Sequence, residues 1–456
     1  MTKDELLALI KTSDCEMSFR QKLHLTVLLA VPAIIAQMSF IIMQIIDASM
    51  LGHLSTDEAA AVGLVSTTIW LFGGLASAFA SGVSVQVAHK VGACDYVGAR
   101  SIIRQGMVLG VMFAVFLTML ALCISPYLPY WLGADENICY MATEYFSIFS
   151  CAITLIVCNN IAAGSLRCSG NIKVPSFLMV MMCFLDVFFN YLFIFVCHMG
   201  TAGAAYGTAI AYFITMLCMI YYMVMKDSIL NFKQDLRLDF RPNSEVIRNG
   251  LKIGTPIGIE RGIMCTAQVA ISSIIAPLGN IAIAANTFAI NVESICYMPG
   301  HGISEAVTTL VGQSKGAQKP HLMRSFAWIC MITGMMIMAL MGILMWIFAP
   351  QMLSIVTPDN RVVELGTEIL RIEAWAEPGF AAAIVGMGAF LGAGNTLVPS
   401  MMNLFSIWGV RVTLTLLLAP MMGLRGVWIA MAIELIFRGL IFVLRLYKKF
   451  NRQSII

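Results

Sequence analysis

The first long apolar segment, Leu25 to Ala48, sets the strongest limit on what this chain can fold into. Its single charged residue is Asp47, close to the far end. As a helix rising 1.5 Å per residue, the segment would extend about 36 Å, which is enough to cross a hydrocarbon core of about 30 Å with some tilt. Pro32 lies inside it and removes a backbone donor, so a bend and a hinge are expected there. The segment predicts a membrane-spanning helix that carries one acidic side chain.

Composition extends this prediction to all 456 residues, of which 59% are apolar and only 12% charged. Soluble domains carry about 25% charged residues, so an integral membrane protein in contact with the lipid bilayer is expected. Residues 1–22 are polar and mixed in charge, which predicts that the first span is not a cleaved signal. A net charge of +3 gives no reason to expect a nucleic-acid partner. The 13 cysteines contain no C-x-x-C pair, so no resident metal or cofactor is predicted.

Apolar runs of about 20 residues indicate twelve transmembrane helices and therefore an all-α integral membrane protein. Most of the 28 Lys and Arg residues fall in the two ends of the chain and in alternate connecting segments. The positive-inside rule then places both termini in the cytoplasm, with the protein in the plasma (inner) membrane. The predicted spans are 25–48, 60–87, 103–124, 139–164, 176–197, 203–225, 251–275, 282–311, 325–348, 363–391, 399–419 and 426–444.

The two halves of the chain repeat each other at an offset of 224 residues. Pro32 recurs as Pro256, which predicts a second hinge, and Gly170-Asn171 recurs as Gly394-Asn395. An even number of spans in each half means that both halves cross the membrane in the same sense, related by a pseudo-twofold axis along its normal. Two six-helix lobes of this kind predict alternating access about a central cavity, in preference to a static channel or an enzyme scaffold. The predicted segments are a cytoplasmic N-terminal segment (1–24), an N-lobe (25–225), a cytoplasmic linker (226–250), a C-lobe (251–445) and a cytoplasmic tail (446–456).

Ionisable residues inside spans cost at least about 2.5 kcal/mol each on insertion scales, so each one is a functional candidate. Several have simple structural explanations. Glu434 and Arg438 are four residues apart and can pair along one helix. Arg371 lies close to Glu368 and Glu373 near a helix end, where an interfacial salt bridge is expected.

Asp47 and Asp186 differ from these residues because neither has a Lys or Arg within helical reach on its own segment. Asn190 follows Asp186 by four residues, so the amide and the carboxylate share one helix face. Thr208 adds a hydroxyl from the next span. Together these four side chains would form a proton or sodium site of hard oxygen ligands, with Na⁺ at Asp47 as the only metal expected.

The second half has diverged in polarity. Ile271 and Val410 occupy the positions equivalent to Asp47 and Asp186. Ion coupling is therefore expected in the first lobe, and substrate walls chiefly in the second. Glu260 and Arg261, one turn after Pro256, leave two alternatives open, since they could form an internal ion pair or contact a ligand.

Four stretches of the sequence resemble the multidrug and toxic compound extrusion (MATE) family, and the resemblance spans about 22–448. It implies a V-shaped exporter of twelve helices that exchanges organic cations or other amphipathic toxins for protons or sodium. The four stretches are IIDASMLGHLSTDEAAAVGL, APLGNIAIAANTFAINVES, SEAVTTLVGQSKGA and GAFLGAGNTLVPS.

The resemblance also implies site residues. Asp47 matches the first-helix aspartate that the family uses for ion coupling, and Thr208 matches a sixth-helix threonine of some members. The fifth-helix pair of the family is Asn followed by Asp, whereas here Asp186 precedes Asn190. Sodium-coupled members also use acidic residues on helices seven and ten. The nearest positions in this chain are Met264 and Phe380, so the identity of the coupling ion stays open.

The function expected is secondary active efflux of cationic or amphipathic drugs in exchange for H⁺ or Na⁺, by a monomer. Substrate contacts are expected from Asn160, Glu260 and Glu293. A lipid-linked oligosaccharide or polysaccharide flippase of the same superfamily is the alternative. A membrane enzyme is disfavoured, because the six His residues show no ligand spacing and no phosphate-binding loop of the G-x-x-x-x-G-K type occurs.

Overall fold

A computed structural model describes residues 2–11, 17–133, 135–232 and 243–452. Every regular element in these ranges is a helix, as the sequence predicts. Three of the predicted segments lie partly outside the described residues. These are the N-terminal segment at 12–16, the linker at 233–242 and the tail at 453–456.

Sixteen α-helices are described in chain order. The α7 helix continues directly into a π-helical segment, Leu192–Val196, and a second π segment, Ser406–Val412, joins α14 to α15. The helices are α1 (Lys3–Lys11), α2 (Phe19–Gly52), α3 (Thr56–Gly92), α4 (Tyr96–Ile124), α5 (Leu128–Trp131), α6 (Glu136–Ser169), α7 (Lys173–Tyr191), α8 (Gly200–Met225), α9 (Ser244–Ile275), α10 (Asn280–Gly316), α11 (Pro320–Val356), α12 (Asn360–Glu373), α13 (Glu377–Gly392), α14 (Leu397–Phe405), α15 (Thr413–Met422) and α16 (Leu424–Arg452).

Eleven spans of the described chain are long and apolar enough to cross a membrane, and α12 with α13 makes a twelfth. This total agrees with the twelve predicted spans. The prediction of one continuous helix over 363–391 is wrong, because α12 and α13 meet at an angle of 59°. Pro378 lies in the first turn of α13, where its missing N–H needs no partner, so the sequence favours a new helix start there.

Contacts divide the chain into two units. We call Ser39–Gly258 the N unit and Met1–Met38 with Ile259–Ile456 the C unit. The dividing points fall inside α2 and α9, whereas the predicted lobes keep the corresponding predicted spans, 25–48 and 251–275, whole. Each of the two helices therefore begins in one unit and ends in the other.

Close backbone contacts hold the first halves of α2 and α9 in their units. In the C unit, a Cβ on Gly302 of α10 would lie 2.6 Å from the backbone nitrogen of Ile34 in α2. In the N unit, a Cβ on Gly254 of α9 would lie 2.9 Å from the carbonyl oxygen of Ala78 in α3. Ala78 and Gly302 are related by the repeat offset, so each half uses the same small-residue contact.

Turn geometry repeats at the same offset. Cys94 and Gln318 have positive φ angles of 59° and 56°, and Gly170 and Gly394 have φ angles of 102° and 66°. Positive φ is rare for residues other than glycine. Its recurrence at paired positions therefore indicates that the backbone conformation is duplicated, and not merely the apolar pattern.

Apolar side chains fill the interior of each unit and also cover much of its outside. The N unit packs Ile103, Phe146 and Ile161 in its core, each no more than 1% exposed. On the outside, Phe184 and Tyr140 are 74% and 72% exposed. Such exposed aromatic surface suits a lipid environment.

We expect that Gly302→Ala lowers the free energy of unfolding by about 1–3 kcal/mol, because the new methyl group must displace the backbone of α2. Thermal unfolding of the detergent-solubilised protein measures this loss. Gly262→Ala is the matched control, since a Cβ there has no neighbour within 4 Å. Equal melting temperatures for the two variants would contradict the close contact.

Candidate functional site

Two carboxyl groups and one amide meet in the N unit. Asp186 and Asn190 lie one turn apart on α7, and each is only 1% exposed. The Asn190 Nδ2 donates to Asp186 Oδ2 at 3.0 Å and to Asp47 Oδ1 of α2 at 3.0 Å. One amide therefore holds the two carboxyl groups together, and we call these three residues with Thr208 the N-unit acidic site.

The fourth member of the site comes from α8. Thr208 lies close enough to the Asp186 carboxyl group to interact with it. The preceding residue, Gly207, allows this approach, because a Cβ at that position would collide with Asn190 Oδ1 and lie 2.8 Å from the Asn190 backbone nitrogen. Gly207 was not identified from the sequence, because nothing in its sequence neighbours indicates which helix it faces.

The N-unit acidic site contains more acceptors than donors. Asp186 Oδ1 and Asn190 Oδ1 are buried oxygens without a hydrogen-bond partner in the described structure. No Lys or Arg of the described chain pairs with Asp47 or Asp186, and their close electrostatic neighbours include Tyr145 and Tyr212. Two carboxyl groups in contact, with free oxygens and no basic partner, fit a proton or a small hard cation such as Na⁺.

The C unit holds a second group of acidic residues around two arginines. It is built from Glu293 of α10, Glu373 and Glu377 at the ends of α12 and α13, Arg411 of the second π segment, and Glu434 and Arg438 of α16. We call these six residues the C-unit charged cluster. They are connected by electrostatic interactions.

Within this cluster, Arg438 and Glu434 form a buried ion pair with a 2.8 Å contact from Nε to Oε1. The pairing predicted from their spacing is confirmed. Glu434 also accepts a hydrogen bond from Ser406 Oγ at 2.5 Å. The carboxylate oxygens of Glu373 and Glu377, by contrast, are buried without hydrogen-bond partners among the described residues.

The interfacial salt bridge expected for Arg371 is wrong. Glu368 pairs with Arg425 instead, at 2.7 Å, while Arg371 donates to the Trp346 carbonyl oxygen and lies over the Trp346 ring. Glu373 is fully buried. The reason for the wrong prediction is that Arg425 of α16 reaches Glu368, a contact between residues distant in sequence that spacing along α12 cannot predict.

The remaining predicted residues lie in separate places. Glu260 of α9 accepts a hydrogen bond from Asn403 Nδ2 at 2.6 Å, and its interaction with Arg261 is electrostatic. Glu260 and Arg261 do not form an ion pair in the described structure, and a ligand contact by Glu260 stays a prediction. Asn160 lies half-buried on α6.

The two prolines lie inside long helices. Pro32 is part of α2 and Pro256 is part of α9, and both helices continue through them. Their role as hinges stays a prediction. Met264 and Phe380 are half-buried and contribute to the core of the C unit.

A duplicated polytopic membrane protein with a buried acidic site is the architecture of a secondary transporter. The sequence model of the MatE family matches residues 32–192 and 256–417, two segments related by the repeat offset. The chain belongs to this family of membrane transporters and is not an enzyme.

Relatives cover nearly the whole chain. It is 26% identical over 420 residues to the "Probable multidrug resistance protein NorM" of Thermotoga maritima, covering 90% of this chain and 89% of the relative. It is 25% identical over 449 residues to the protein of the same description from Bacillus anthracis, covering 96% and 98%.

Solved structures share the fold. "Crystal structure of MATE in the straight conformation" has a TM-score of 0.90 at 21% identity, covering 99% of both chains. "Reverse polarity of binding pocket suggests different function of a MOP superfamily transporter from Pyrococcus furiosus Vc1" also has a TM-score of 0.90, at 22% identity and 98% of both chains.

We expect that Asn190→Asp lowers the free energy of unfolding by about 1–3 kcal/mol at alkaline pH without sodium, because it replaces the shared donor with a third carboxylate. Thermal unfolding at several pH and Na⁺ values measures the loss, which acid or Na⁺ should reduce. The double variant Asp47→Asn/Asn190→Asp is the control, since it restores two carboxyl groups and one amide. A melting temperature for Asn190→Asp that equals wild type at alkaline pH would contradict the site geometry.

Proposed function

We propose that this protein is a secondary active multidrug efflux antiporter that exports cationic or amphipathic organic compounds in exchange for H⁺ or Na⁺. The observation that carries the proposal is the N-unit acidic site, in which one amide joins two carboxyl groups that have no basic partner. The names of the NorM relatives support multidrug compounds as the substrate class.

Coupling follows from the electrostatics of the site. Two adjacent buried carboxylates repel each other and lose their hydration, and a bound proton or Na⁺ removes much of that cost. Asp47 lies on α2 and Asp186 on α7, so ion binding favours the arrangement in which these helices hold their acidic groups together. An ion that prefers one arrangement and a drug that prefers another are coupled, and linkage makes the effect reciprocal.

A membrane potential can drive this exchange if net charge moves. One elementary charge crossing 100 mV supplies about 2.3 kcal/mol, and a tenfold gradient stores about 1.4 kcal/mol. One net charge could therefore sustain a drug gradient of about fortyfold. Exchange of one proton for one monovalent cation moves no net charge and would depend on the ion gradient alone.

Substrate contacts are proposed at Glu260 and Glu293 of the C unit and at Asn160. The C-unit charged cluster contains four glutamates and two arginines, so its glutamates outnumber its arginines and are available to neutralise a cationic guest. The 33 methionines of the chain supply flexible apolar side chains that suit ligands of varied shape.

Movement is proposed to occur at Pro32 and Pro256. Each proline lies in the helix that passes from one contact unit to the other, six residues before the dividing point in α2 and two residues before it in α9. A proline leaves one backbone carbonyl without its helical partner, which lowers the cost of bending there. The protein is further proposed to act as a monomer in the plasma membrane, with both termini cytoplasmic.

Asp47→Asn is expected to leave the protein folded and inserted but to abolish exchange of drug for ion, because the amide cannot bind and release a proton or neutralise Na⁺. Efflux of cationic dyes from proteoliposomes, with a pH gradient and a Na⁺ gradient imposed separately, measures the loss and identifies the ion. Asp57→Asn, at the start of α3, is the matched control. Full antiport by Asp47→Asn would refute the coupling role.

Asp186→Asn is expected to weaken the ion dependence of transport more than it weakens drug binding, because Asp186 contacts Asp47 and Asn190 in the proposed ion site. Drug affinity measured at several pH and Na⁺ values gives both quantities for one variant. Wild-type ion dependence in Asp186→Asn would remove Asp186 from the ion site and leave Asp47 as the only candidate.

A further inference from the structure

A groove on the surface of the C unit runs between α14 and α16 and has a volume of about 1270 Å³. Its apolar wall includes Met401 and Phe405 of α14, and Ile441 and Leu444 of α16. Small-molecule pockets typically measure about 300–1,000 Å³, so this groove offers room for a longer molecule. Met401, Phe405 and Leu444 are 59%, 63% and 49% exposed, so the wall is open to the surroundings.

One end of the groove is cationic. Arg445, Lys448 and Lys449 line it, and none of the three forms an ion pair with an acidic residue of the described chain. The Nε of Arg445 is buried without a hydrogen-bond partner. Arg445 and Lys449 both lie over the Phe390 ring, at 5.9 and 6.0 Å, and Lys315 adds a further positive charge near Lys449. Partly buried like charges that lack a carboxylate partner are stabilised by an anion.

The groove matches the depth of one lipid leaflet. From Phe437 to Arg445, α16 rises by about 12 Å, and half of a hydrocarbon core is about 15 Å. The three basic residues occupy the last turns of the final span, which ends at Phe450. The positive charges therefore lie at the level of lipid phosphates, and the apolar wall lies at the level of an acyl chain.

We propose that this groove binds one anionic glycerophospholipid of the surrounding bilayer. Arg445, Lys448 and Lys449 hold the phosphodiester, and an acyl chain lies along Phe405 and Ile441. A zwitterionic lipid would bring its own ammonium group against the three cations, so the site selects a net negative headgroup. A free inorganic phosphate would use only the charged end and would leave the apolar wall without a partner.

The test uses the full chain, purified in detergent and titrated with phosphatidylglycerol or phosphatidylcholine of identical acyl chains, with bound lipid counted by native mass spectrometry. Wild type is expected to retain phosphatidylglycerol about tenfold more tightly, an effect that falls with ionic strength. Replacing Arg445, Lys448 and Lys449 with Gln should remove this preference. Gln at Lys173, Lys226 and Arg248 removes the same charge from exposed sites elsewhere and should preserve it.

Two further measurements on folded protein separate the alternatives. Phe405→Ala is expected to weaken phosphatidylglycerol binding by about tenfold, because the acyl chain loses an aromatic contact. Millimolar inorganic phosphate should not displace the lipid. Equal retention of the two lipids by wild type, retained preference in the triple variant, or displacement by phosphate would each overturn the proposal.

Discussion

A charge buried in the membrane-spanning part of a protein must be balanced by an opposite charge, a proton or a bound ion, because neither lipid nor a packed interior can hydrate it. The two units of this chain meet this requirement differently. In the N unit, Asp47 and Asp186 share only the amide of Asn190. In the C unit, Arg411 and Arg438 offset part of the charge of the surrounding glutamates. Among the described residues, the acidic site of the N unit therefore has no basic side chain of its own to offset its charge.

The two halves differ in the charges that they bury although they share a duplicated backbone. The paired positive φ angles and the paired contacts at Ala78 and Gly302 show that the two halves share backbone geometry. The side chains at equivalent positions do not share chemistry, since Ile271 replaces Asp47 and Val410 replaces Asp186. Duplication preserved the small-residue contacts that set how helices pack, while the polar positions were free to change.

Irregular helices determine which polar groups enter each interior. The break between α12 and α13 buries Glu373 and Glu377, and the π segment Ser406–Val412 carries Arg411 toward the same glutamates. A π turn adds a residue to the helix and shifts the faces that follow it. Such irregular backbone is tolerated at membrane depth where protein surrounds it, which is also where function is concentrated.

The sequence by itself determined the class of the fold and half of the site. Apolar runs gave the spans, a fixed offset gave the duplication, and the spacing of Asp186 and Asn190 placed them on one face, because these are local or periodic properties of the chain. It also gave the Glu434–Arg438 pair, four residues apart on one helix. Only the tertiary structure decided that Asn190 donates to both Asp47 and Asp186, and that Gly207 lets α8 approach Asn190 closely. It alone decided that Glu373 turns inward while Glu368 pairs with Arg425. These outcomes depend on contacts between residues distant in sequence and on a helix break. Neither can be inferred from the spacing of apolar residues along the chain.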